Sequence, residues 1–325
     1  MPEYAGPAFV DLQVNGFAGV DYNAPGVSTE QLAASFEAME GTGVGLCLPT
    51  IITSTTPHFI DCARRLLATR HPIIAGLHME GPYISSTDGF RGAHPRDCVM
   101  DASVDDFRRR QDAADGRIRL LTLAPEVPGA IAVIEAAVAA GVRVALAHTN
   151  ASTREIADAV SAGATLSTHL GNGCPAVLPR HPNVIWDQLA TDALLASLVV
   201  DGHHLPPSTV RVMVRAKSPA RCLLVTDAIM AAAAPYGRYR LGDLDVVSDP
   251  SGRVSAPGSA TLAGSSLTMP VAVGLTHTWT GLHLGVAWAM ASTQPASYLG
   301  LEPRGRARVT WSDDATRVEH VEFSA

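Results

Sequence analysis

The sequence predicts an α/β fold, namely a (β/α)8 TIM-type barrel that carries a small β appendage. Short apolar runs alternate with longer amphipathic segments over most of the 325 residues, a pattern typical of strand–helix units around a parallel sheet. Eight such runs occur, which is the number of strands in this barrel. Several of them end in an acidic or histidine side chain, at the position where barrel enzymes place their active sites.

The predicted strands and helices alternate from residue 8 to residue 227. The strands cover 8–15, 45–51, 73–80, 119–123, 143–148, 164–169, 196–201 and 222–227. Amphipathic patterns predict helices at 28–40, 57–69, 130–140, 152–162 and 206–217. Ser152 stands three residues before Glu155, the spacing of a capping box, and Ser28 precedes Glu30 and Gln31 at another helix start.

Turn-rich segments near the end of the chain predict the β appendage. The barrel is expected to span 8–302, with a β insertion at 236–262 where Gly-Asp, Asp-Pro and Ser-Gly turns separate short strand-like pieces. We expect residues 303–325 to form C-terminal strands. These strands would pack with the insertion as a small β domain.

The composition excludes several classes of protein. Hydrophobic residues make up 47% of the chain and charged residues 17%, which is typical of a globular protein and not of a disordered one. The 24 basic and 31 acidic residues give a net charge of −7, without the basic stripe that nucleic-acid binding needs. The five cysteines have no CxxC spacing, and neither a signal peptide nor a spanning segment is recognisable. We therefore expect a cytoplasmic protein with no nucleic-acid or membrane partner.

The residues at the strand ends predict a metal-dependent hydrolase. These residues are Glu80, His148, His169, Asp201 and Asp227, and in a barrel the carboxyl ends of the strands form one rim, so they should converge. A catalytic zinc ion takes about three His and carboxylate ligands and keeps one position open for water. Glu80, His148 and His169 match that set, and Asp227 can accept and return a proton as the general acid/base.

The first predicted strand indicates one metal ion and not two. Asp11, Gln13 and Asn15 alternate along it and should face the barrel interior together. A second ion would need histidines there, whereas neutral amides are poor ligands for a transition metal. His78 should share the inward face with Glu80, and we expect it to support a ligand and not to be one.

A series of segments along nearly the whole chain carries a family resemblance. In chain order they are FVDLQVNGFAGVDYN, GLHMEGPYIS with RGAH, AHTNAS, STHLGNG, VVDGHHLPP, LVTDAIMAA and LAGSSLTM. In this order and at this spacing, they resemble the N-acetylglucosamine-6-phosphate deacetylases of the amidohydrolase superfamily. The resemblance implies that Glu80, His148 and His169 hold the metal, that Asp227 is the acid/base, and that His94 polarises the acetyl carbonyl.

The same resemblance implies how a sugar phosphate is bound. Asn172 and the backbone of Gly173 would meet the phosphate, and His204 would contact the sugar phosphate. Arg180 would reach the phosphate from the neighbouring subunit of a homodimer. A guanidinium suits this task because its paired donors match phosphate oxygens.

The predicted phosphate loop departs from the family pattern and keeps two other functions open. Gly171, Gly173, Cys174 and Pro175 stand where the family prefers an aromatic residue, Ala and Met around its Asn. One alternative is a related amidohydrolase that acts on another N-acyl or cyclic amide without a phosphate. The other is a non-catalytic sugar-phosphate binding protein, although such a protein would not need Asp227.

Overall fold

A computed structural model of the protein describes residues 1–242, 244–258 and 262–325. The strands in this part of the chain are β1 (Glu3–Pro7), β2 (Phe9–Val14), β3 (Gly16–Phe17), β4 (Val20–Asp21), β5 (Val44–Ile51), β6 (Leu77–Glu80), β7 (Ile118–Leu123), β8 (Arg143–Leu146), β9 (Leu166–Ser167), β10 (Leu195–Leu198), β11 (Cys222–Leu224), β12 (Gly237–Leu241), β13 (Leu244–Ser248), β14 (Val254–Ser255), β15 (Arg306–Trp311) and β16 (Val318–Ser324). The helices are α1 (Thr29–Glu40), α2 (Thr56–Ala68), α3 (Val104–Ala113), α4 (Ala130–Ala139), α5 (Thr153–Ala162), α6 (Val184–Ala190), α7 (Pro207–Lys217), α8 (Met269–Thr280), α9 (Leu284–Ala291) and α10 (Thr293–Leu299).

The central sheet confirms the predicted (β/α)8 fold. Among the described residues, eight strands hydrogen-bond in the order β2-β5-β6-β7-β8-β9-β10-β11. A parallel bridge from Val14 to Ala228 then joins the first of these strands to the segment after the last, and the backbone N–H of Asn15 donates to Ala228 O at 2.7 Å. The strands β2 and β5 are buried along their whole length, as expected when helices cover a parallel sheet.

The predicted elements overlap the observed ones throughout the barrel. Each of the eight predicted strands coincides with one of the barrel strands, and the five predicted helices correspond to α1, α2, α4, α5 and α7. Both expected helix starts carry a capping box, formed by Ser28 with Gln31 and by Ser152 with Glu155. The predicted carboxyl ends are correct for β5, β6 and β7, whereas β2, β8, β9, β10 and β11 end one to three residues earlier than predicted.

The described strands of the segments predicted to form the β appendage lie in two antiparallel sheets. The C-terminal strands β15 and β16 form a sheet with β1, a strand that the sequence did not indicate. The insertion strands β12, β13 and β14 form a separate sheet, and Val246 and Val254 pack against Ile229 and Met230. Residues 243 and 259–261 of the predicted insertion lie outside the described residues. A single β domain of 236–262 with 303–325 stays a prediction.

The described chain divides into two compact units. The first comprises Met1–Pro49, Arg65–Ala75 and Leu198–Ala325, and the second comprises Thr50–Arg64 and Gly76–Ser197. In the first, Trp288 stacks on Phe9 with ring centroids 4.4 Å apart and donates from Nε1 to Pro7 O at 2.8 Å.

The second unit contains a buried ion pair. The Arg110 guanidinium donates from Nε to Asp106 Oδ2 at 2.8 Å, and the Tyr83 hydroxyl donates to the same oxygen at 2.8 Å. Burial of Asp106 raises its pKa, but the hydrogen bonds from Thr56, Arg110 and Tyr83 more than offset this, so the net pKa is lowered. The pair therefore ties α3 into the unit as a charged but compensated group.

In the described part of the chain, none of the helices combines the length and the apolar character that crossing a bilayer requires.

The capping box of α5 predicts that Ser152→Ala destabilises the protein more than Ser161→Ala does. Ser152→Ala removes the side-chain acceptor of the Glu155 N–H, and such a change costs about 1 kcal/mol. Ser161→Ala serves as the control, because Ser161 is exposed and only bonds back to Ala157 O within the helix. Urea unfolding monitored by circular dichroism should give a lower midpoint for Ser152→Ala than for Ser161→Ala. Equal midpoints would show that the cap contributes nothing.

Candidate metal centre

Three buried side chains of the second unit form a cluster that can hold a metal ion. Glu80 is the last residue of β6, and His148 and His169 each lie two residues beyond the ends of β8 and β9. Their ligand atoms all lie within 4.8 Å of one another. Glu80 Oε1 is 2.9 Å from His169 Nε2 and 3.4 Å from His148 Nε2. We call these three residues the metal cluster.

The donor set and its orientation fit a divalent cation. His148 Nδ1 lies 3.0 Å from the carbonyl oxygen of Phe90, which can only accept, so Nδ1 carries the proton. The lone pair of His148 is then on Nε2, the atom that faces Glu80. A metal-binding histidine in proteins is held in this way by a second acceptor on its other nitrogen. Two imidazoles and one carboxylate are protein ligands typical of catalytic zinc.

The ring of His148 is seated between two glycines. A Cβ on Gly92 would lie 3.1 Å from His148 Cε1, and a Cβ on Gly173 would lie 2.8 Å from His148 Nδ1. Because Gly173 also has a φ of +61°, any side chain at this position is both crowded and strained. The predicted site residue Gly173 therefore shapes the metal cluster itself.

His94 lies beside the metal cluster. Its Nε2 is 3.2 Å from His148 Nε2 and 4.0 Å from Glu80 Oε2, while its Nδ1 is 2.8 Å from Thr53 Oγ1. Burial, and then the neighbouring His148, lower the pKa of His94 to about 3. The ring is therefore neutral at pH 7, with one N–H to donate.

The carboxylate of Glu80 is kept ionised in the interior. Burial alone raises the pKa of Glu80, but the neighbouring imidazoles of His148, His169 and His94 more than offset it, so the pKa lies well below the usual range. An anionic oxygen ligand is what a hard or borderline cation needs. His78, buried on the same strand, has Nε2 2.7 Å from Thr122 Oγ1 and is absent from the metal cluster.

Left-handed backbone conformations place the residues at the strand ends. The φ angles are +50° at His148, +34° at His169 and +49° at Asp227, a region that costs a non-glycine residue of order 1–3 kcal/mol. This turn ends each strand earlier than the sequence predicts. Such strain is concentrated at functional positions.

Asp227 lies in the first unit with its own set of contacts. Its backbone N–H donates to Gln13 O at 2.9 Å. The Asn15 amide donates from Nδ2 to Asp227 Oδ1 at 2.7 Å. The preceding residue, Thr226, donates from its hydroxyl to Asp11 Oδ2 at 2.5 Å. The predicted inward face of the first strand is therefore in direct contact with the turn that carries Asp227.

His204 is paired with Asp201, also in the first unit. His204 Nδ1 lies 2.6 Å from Asp201 Oδ2, and both side chains are largely buried. Burial raises the pKa of Asp201, but the hydrogen bond with His204 and its charge outweigh this, so the pKa is lowered. The carboxylate fixes Nδ1 of His204 as the protonated nitrogen when the ring is neutral, which leaves Nε2 as an acceptor.

In the loop after β9, Asn172 is hydrogen-bonded to the backbone and partly buried, whereas Arg180 is exposed. Asn172 donates from its backbone N–H and from Nδ2 to His169 O, at 3.0 and 3.1 Å. With Gly173 and Cys174 it lines a small cleft that also reaches His148. Arg180 is exposed to solvent. Its guanidinium makes neither a hydrogen bond nor an ion pair with the residues described.

The sequence analysis did not predict two groups that orient site histidines. The carbonyl of Phe90 orients His148, and the Thr53 hydroxyl contacts His94. A backbone carbonyl carries no sequence signal, because every residue has one. Thr53 follows the end of a predicted strand, which is the one clue that could have indicated it.

The fold and this cluster define a class of protein, and the comparisons with known proteins identify the family. A (β/α)8 fold with a buried Glu-His-His cluster at its strand ends is that of a metal-dependent hydrolase of the amidohydrolase superfamily. No family model matches the chain. It is 31% identical over 321 residues to the N-acetylglucosamine-6-phosphate deacetylase of Lysinibacillus sphaericus, covering 97% of this chain and 81% of that protein. The chain belongs to the N-acetylglucosamine-6-phosphate deacetylase family.

Two further relatives bear on the substrate. The chain is 31% identical over 328 residues to the N-acetylgalactosamine-6-phosphate deacetylase of Escherichia coli O157:H7, covering 97% of this chain and 85% of that one. A solved structure of a mutant N-acetyl-D-glucosamine-6-phosphate deacetylase from Mycobacterium smegmatis, in complex with N-acetyl-D-glucosamine-6-phosphate, has a TM-score of 0.89 and 30% identity. That match covers 98% of this chain and 85% of the other.

The seating of His148 predicts that Gly173→Ala weakens metal binding. The added Cβ would approach His148 Nδ1 to 2.8 Å and push the ring away from Glu80. We expect at least a tenfold loss of Zn²⁺ affinity, about 1.4 kcal/mol, in calorimetric titration of metal-free protein. Gly281→Ala is the matched control, since its φ is also positive, +74°, but nothing lies within 4 Å of the added atom. Unchanged affinity in Gly173→Ala would refute the steric role.

Proposed function

We propose that the protein hydrolyses the N-acetyl amide of N-acetylglucosamine 6-phosphate to give glucosamine 6-phosphate and acetate. The observation that carries this is the match over 97% of the chain to a deacetylase of this substrate, in a protein whose metal cluster has the donors of a catalytic zinc site. Glu80, His148 and His169 hold one Zn²⁺ in this proposal. The ion supplies Lewis acidity, which makes water a nucleophile near neutral pH.

The chain's own residues move the proton in this reaction. Asp227 accepts a proton from the water as its oxygen bonds to the acetyl carbon. The same carboxyl group then returns the proton to the amide nitrogen as the carbon–nitrogen bond breaks, so that the amine and acetate leave. His94 donates from Nε2 to the acetyl oxygen when the Thr53 hydroxyl, 2.8 Å from Nδ1, donates to the ring. This hydrogen bond stabilises the charge that develops on that oxygen.

The phosphate and the sugar are held by the residues at the ends of β9 and β10. Asn172 and the backbone of Gly173 bind the phosphate, and they already line the cleft next to His148. His204, oriented by Asp201, contacts the sugar phosphate. In this arrangement Arg180 neutralises the phosphate of the neighbouring subunit's substrate.

A homodimer is part of the proposal. Arg180 is exposed, as are two large apolar side chains near it, Val177 at 85% and Trp186 at 50%. A subunit interface over this loop would bury the apolar groups and direct Arg180 to its phosphate.

One zinc ion and a cytoplasmic location complete the proposal. Gln13 and Asn15 supply neutral amides where a second ion would need imidazoles. The five cysteines are free thiols in the structure, in keeping with a reducing compartment.

The altered loop at 171–175 favours testing a second candidate, an amidohydrolase for a different N-acyl substrate. Acetate release should be measured with N-acetylglucosamine 6-phosphate, N-acetylgalactosamine 6-phosphate and unphosphorylated N-acetylglucosamine. We expect the highest kcat/KM for the first of these. A higher value without the phosphate would replace the proposed substrate, and no acetate release with any of the three would leave the binding-protein alternative.

Asp227→Asn is expected to keep the metal and to lose turnover. Because the neutral amide cannot accept a proton, kcat should fall about a hundredfold or more. Elemental analysis should still find about one ion per chain, whereas His148→Ala should lose both metal and activity. Parent-like turnover in Asp227→Asn would exclude it as the acid/base, and two ions per chain in the parent protein would exclude the mononuclear site.

Arg180→Ala is expected to weaken only phosphate-dependent binding. The lost charge-assisted contact is worth roughly 1.5 to 3 kcal/mol, so KM for the phosphorylated substrate should rise about tenfold or more. The unphosphorylated sugar serves as the control substrate and should bind equally to both proteins. An unchanged KM for the phosphorylated sugar would remove Arg180 from the site.

Mixing two impaired chains, assayed with the phosphorylated substrate below its KM, tests the shared site. A heterodimer of Arg180→Ala with Asp227→Asn would contain one site with both Asp227 and the partner's intact guanidinium. Part of the activity should therefore return on mixing. A heterodimer verified by mass that stays as slow as its parents would reject the exchange of Arg180 between subunits.

A further inference from the structure

We infer that Asn15 is a positioning residue, which holds the carboxylate of Asp227 in one orientation through its side-chain amide. This inference rests on the proposed role of Asp227 as the acid/base. It assigns a role to the Asn15 amide, which is not one of the proposed metal ligands.

The contact itself is short and sheltered. Asn15 Nδ2 lies 2.7 Å from Asp227 Oδ1, and the Asn15 side chain is only 6% exposed. A hydrogen bond from an amide to a carboxylate is charge-assisted and stronger than one between neutral groups. A carboxylate can only accept, so the amide must present its NH2 group and its orientation is determined.

The backbone around both residues keeps this pair in register. The N–H of Asp227 donates to Gln13 O at 2.9 Å, and the N–H of Asn15 donates to Ala228 O at 2.7 Å. These bonds flank the side-chain contact on both sides. The two residues are therefore brought opposite each other by the same ladder that closes the sheet between β2 and the segment after β11.

A second residue of the same strand supports the turn before Asp227. Asp11 Oδ1 accepts from the Thr226 N–H at 3.2 Å, and Asp11 Oδ2 accepts from the Thr226 hydroxyl at 2.5 Å. The left-handed φ of +49° at Asp227 is thus supported from the preceding residue. With the backbone held, the remaining freedom of the carboxylate is rotation of the side chain, which the Asn15 amide restricts.

Loss of a positioning contact and loss of a substrate-binding contact have different kinetic effects. Displacing a catalytic group by about 1 Å can cost on the order of a hundredfold in rate, whereas substrate affinity depends on other residues. We expect Asn15→Leu, which keeps the approximate size but removes the donor, to lower kcat by about 10- to 100-fold with KM within about twofold. Metal content should stay at the parent value, because Asn15 is not in the metal cluster.

A double-mutant cycle tests whether Asn15 acts through Asp227. In the Asp227→Asn background, Asn15→Leu should have little further effect on kcat, because the carboxylate it positions is gone. Ser35→Ala is the control for losing a buried hydrogen bond in the same unit, since Ser35 bonds to Phe17 O and Tyr22. That variant should keep the parent kcat even if its melting temperature falls.

The outcomes separate this inference from the proposed function. Parent-like kcat in Asp227→Asn would overturn the acid/base role, whatever Asn15 does. A slow Asp227→Asn with a parent-like Asn15→Leu, or equal effects of Asn15→Leu in both backgrounds, would overturn the positioning role alone. Asn15→Asp, which keeps the shape and replaces the donor by an acceptor, provides a second variant if Asn15→Leu does not fold, and it should also lower kcat with its metal content unchanged.

Discussion

The buried carboxylate of Glu80 is the constraint on which the metal cluster depends. It is 2% exposed, and an ionised carboxylate in the interior is very costly unless it is paired. His169 Nε2 lies 2.9 Å and His148 Nε2 3.4 Å from Glu80 Oε1, so both rings are close enough to share a cation with the carboxylate. Moving either ring would leave the charge uncompensated as well as dismantle the ligand set.

The backbone conformations of His148 and His169 place both rings beside the Glu80 carboxylate. His148 and His169 reach Glu80 with left-handed φ angles, which are unfavourable for any residue with a Cβ. The surrounding backbone supports them: Ser85 N donates to His148 O at 2.9 Å, and His169 N donates to Ser197 Oγ at 2.9 Å. The strain is thus offset by hydrogen bonds from segments that are themselves held in the sheet.

The loop that follows β9 lies against the metal cluster and carries the residues proposed to bind the phosphate. Gly173 belongs to the predicted phosphate site, yet its missing side chain is what lets the loop lie against His148. A substitution there would change both the loop and the metal ligand. The conformation of this loop at Gly173 is therefore constrained by the position of the histidine ring, whereas Arg180 at its far end is exposed.

The sequence predicts the fold more completely than it predicts the contacts within the site. The alternation of apolar runs and amphipathic segments was enough for eight strands and their helices, because that periodicity is a local property of the chain. The chemistry-bearing residues at strand ends were also recognisable, since Glu80, His148 and His169 follow apolar runs. Only the tertiary structure decided that β15 pairs with β1, that Phe90 O orients His148, and that Asn15 bonds to Asp227 across 212 positions. Each of these depends on contacts between segments far apart in sequence or on a backbone atom common to all residues, and neither leaves a local pattern to interpret.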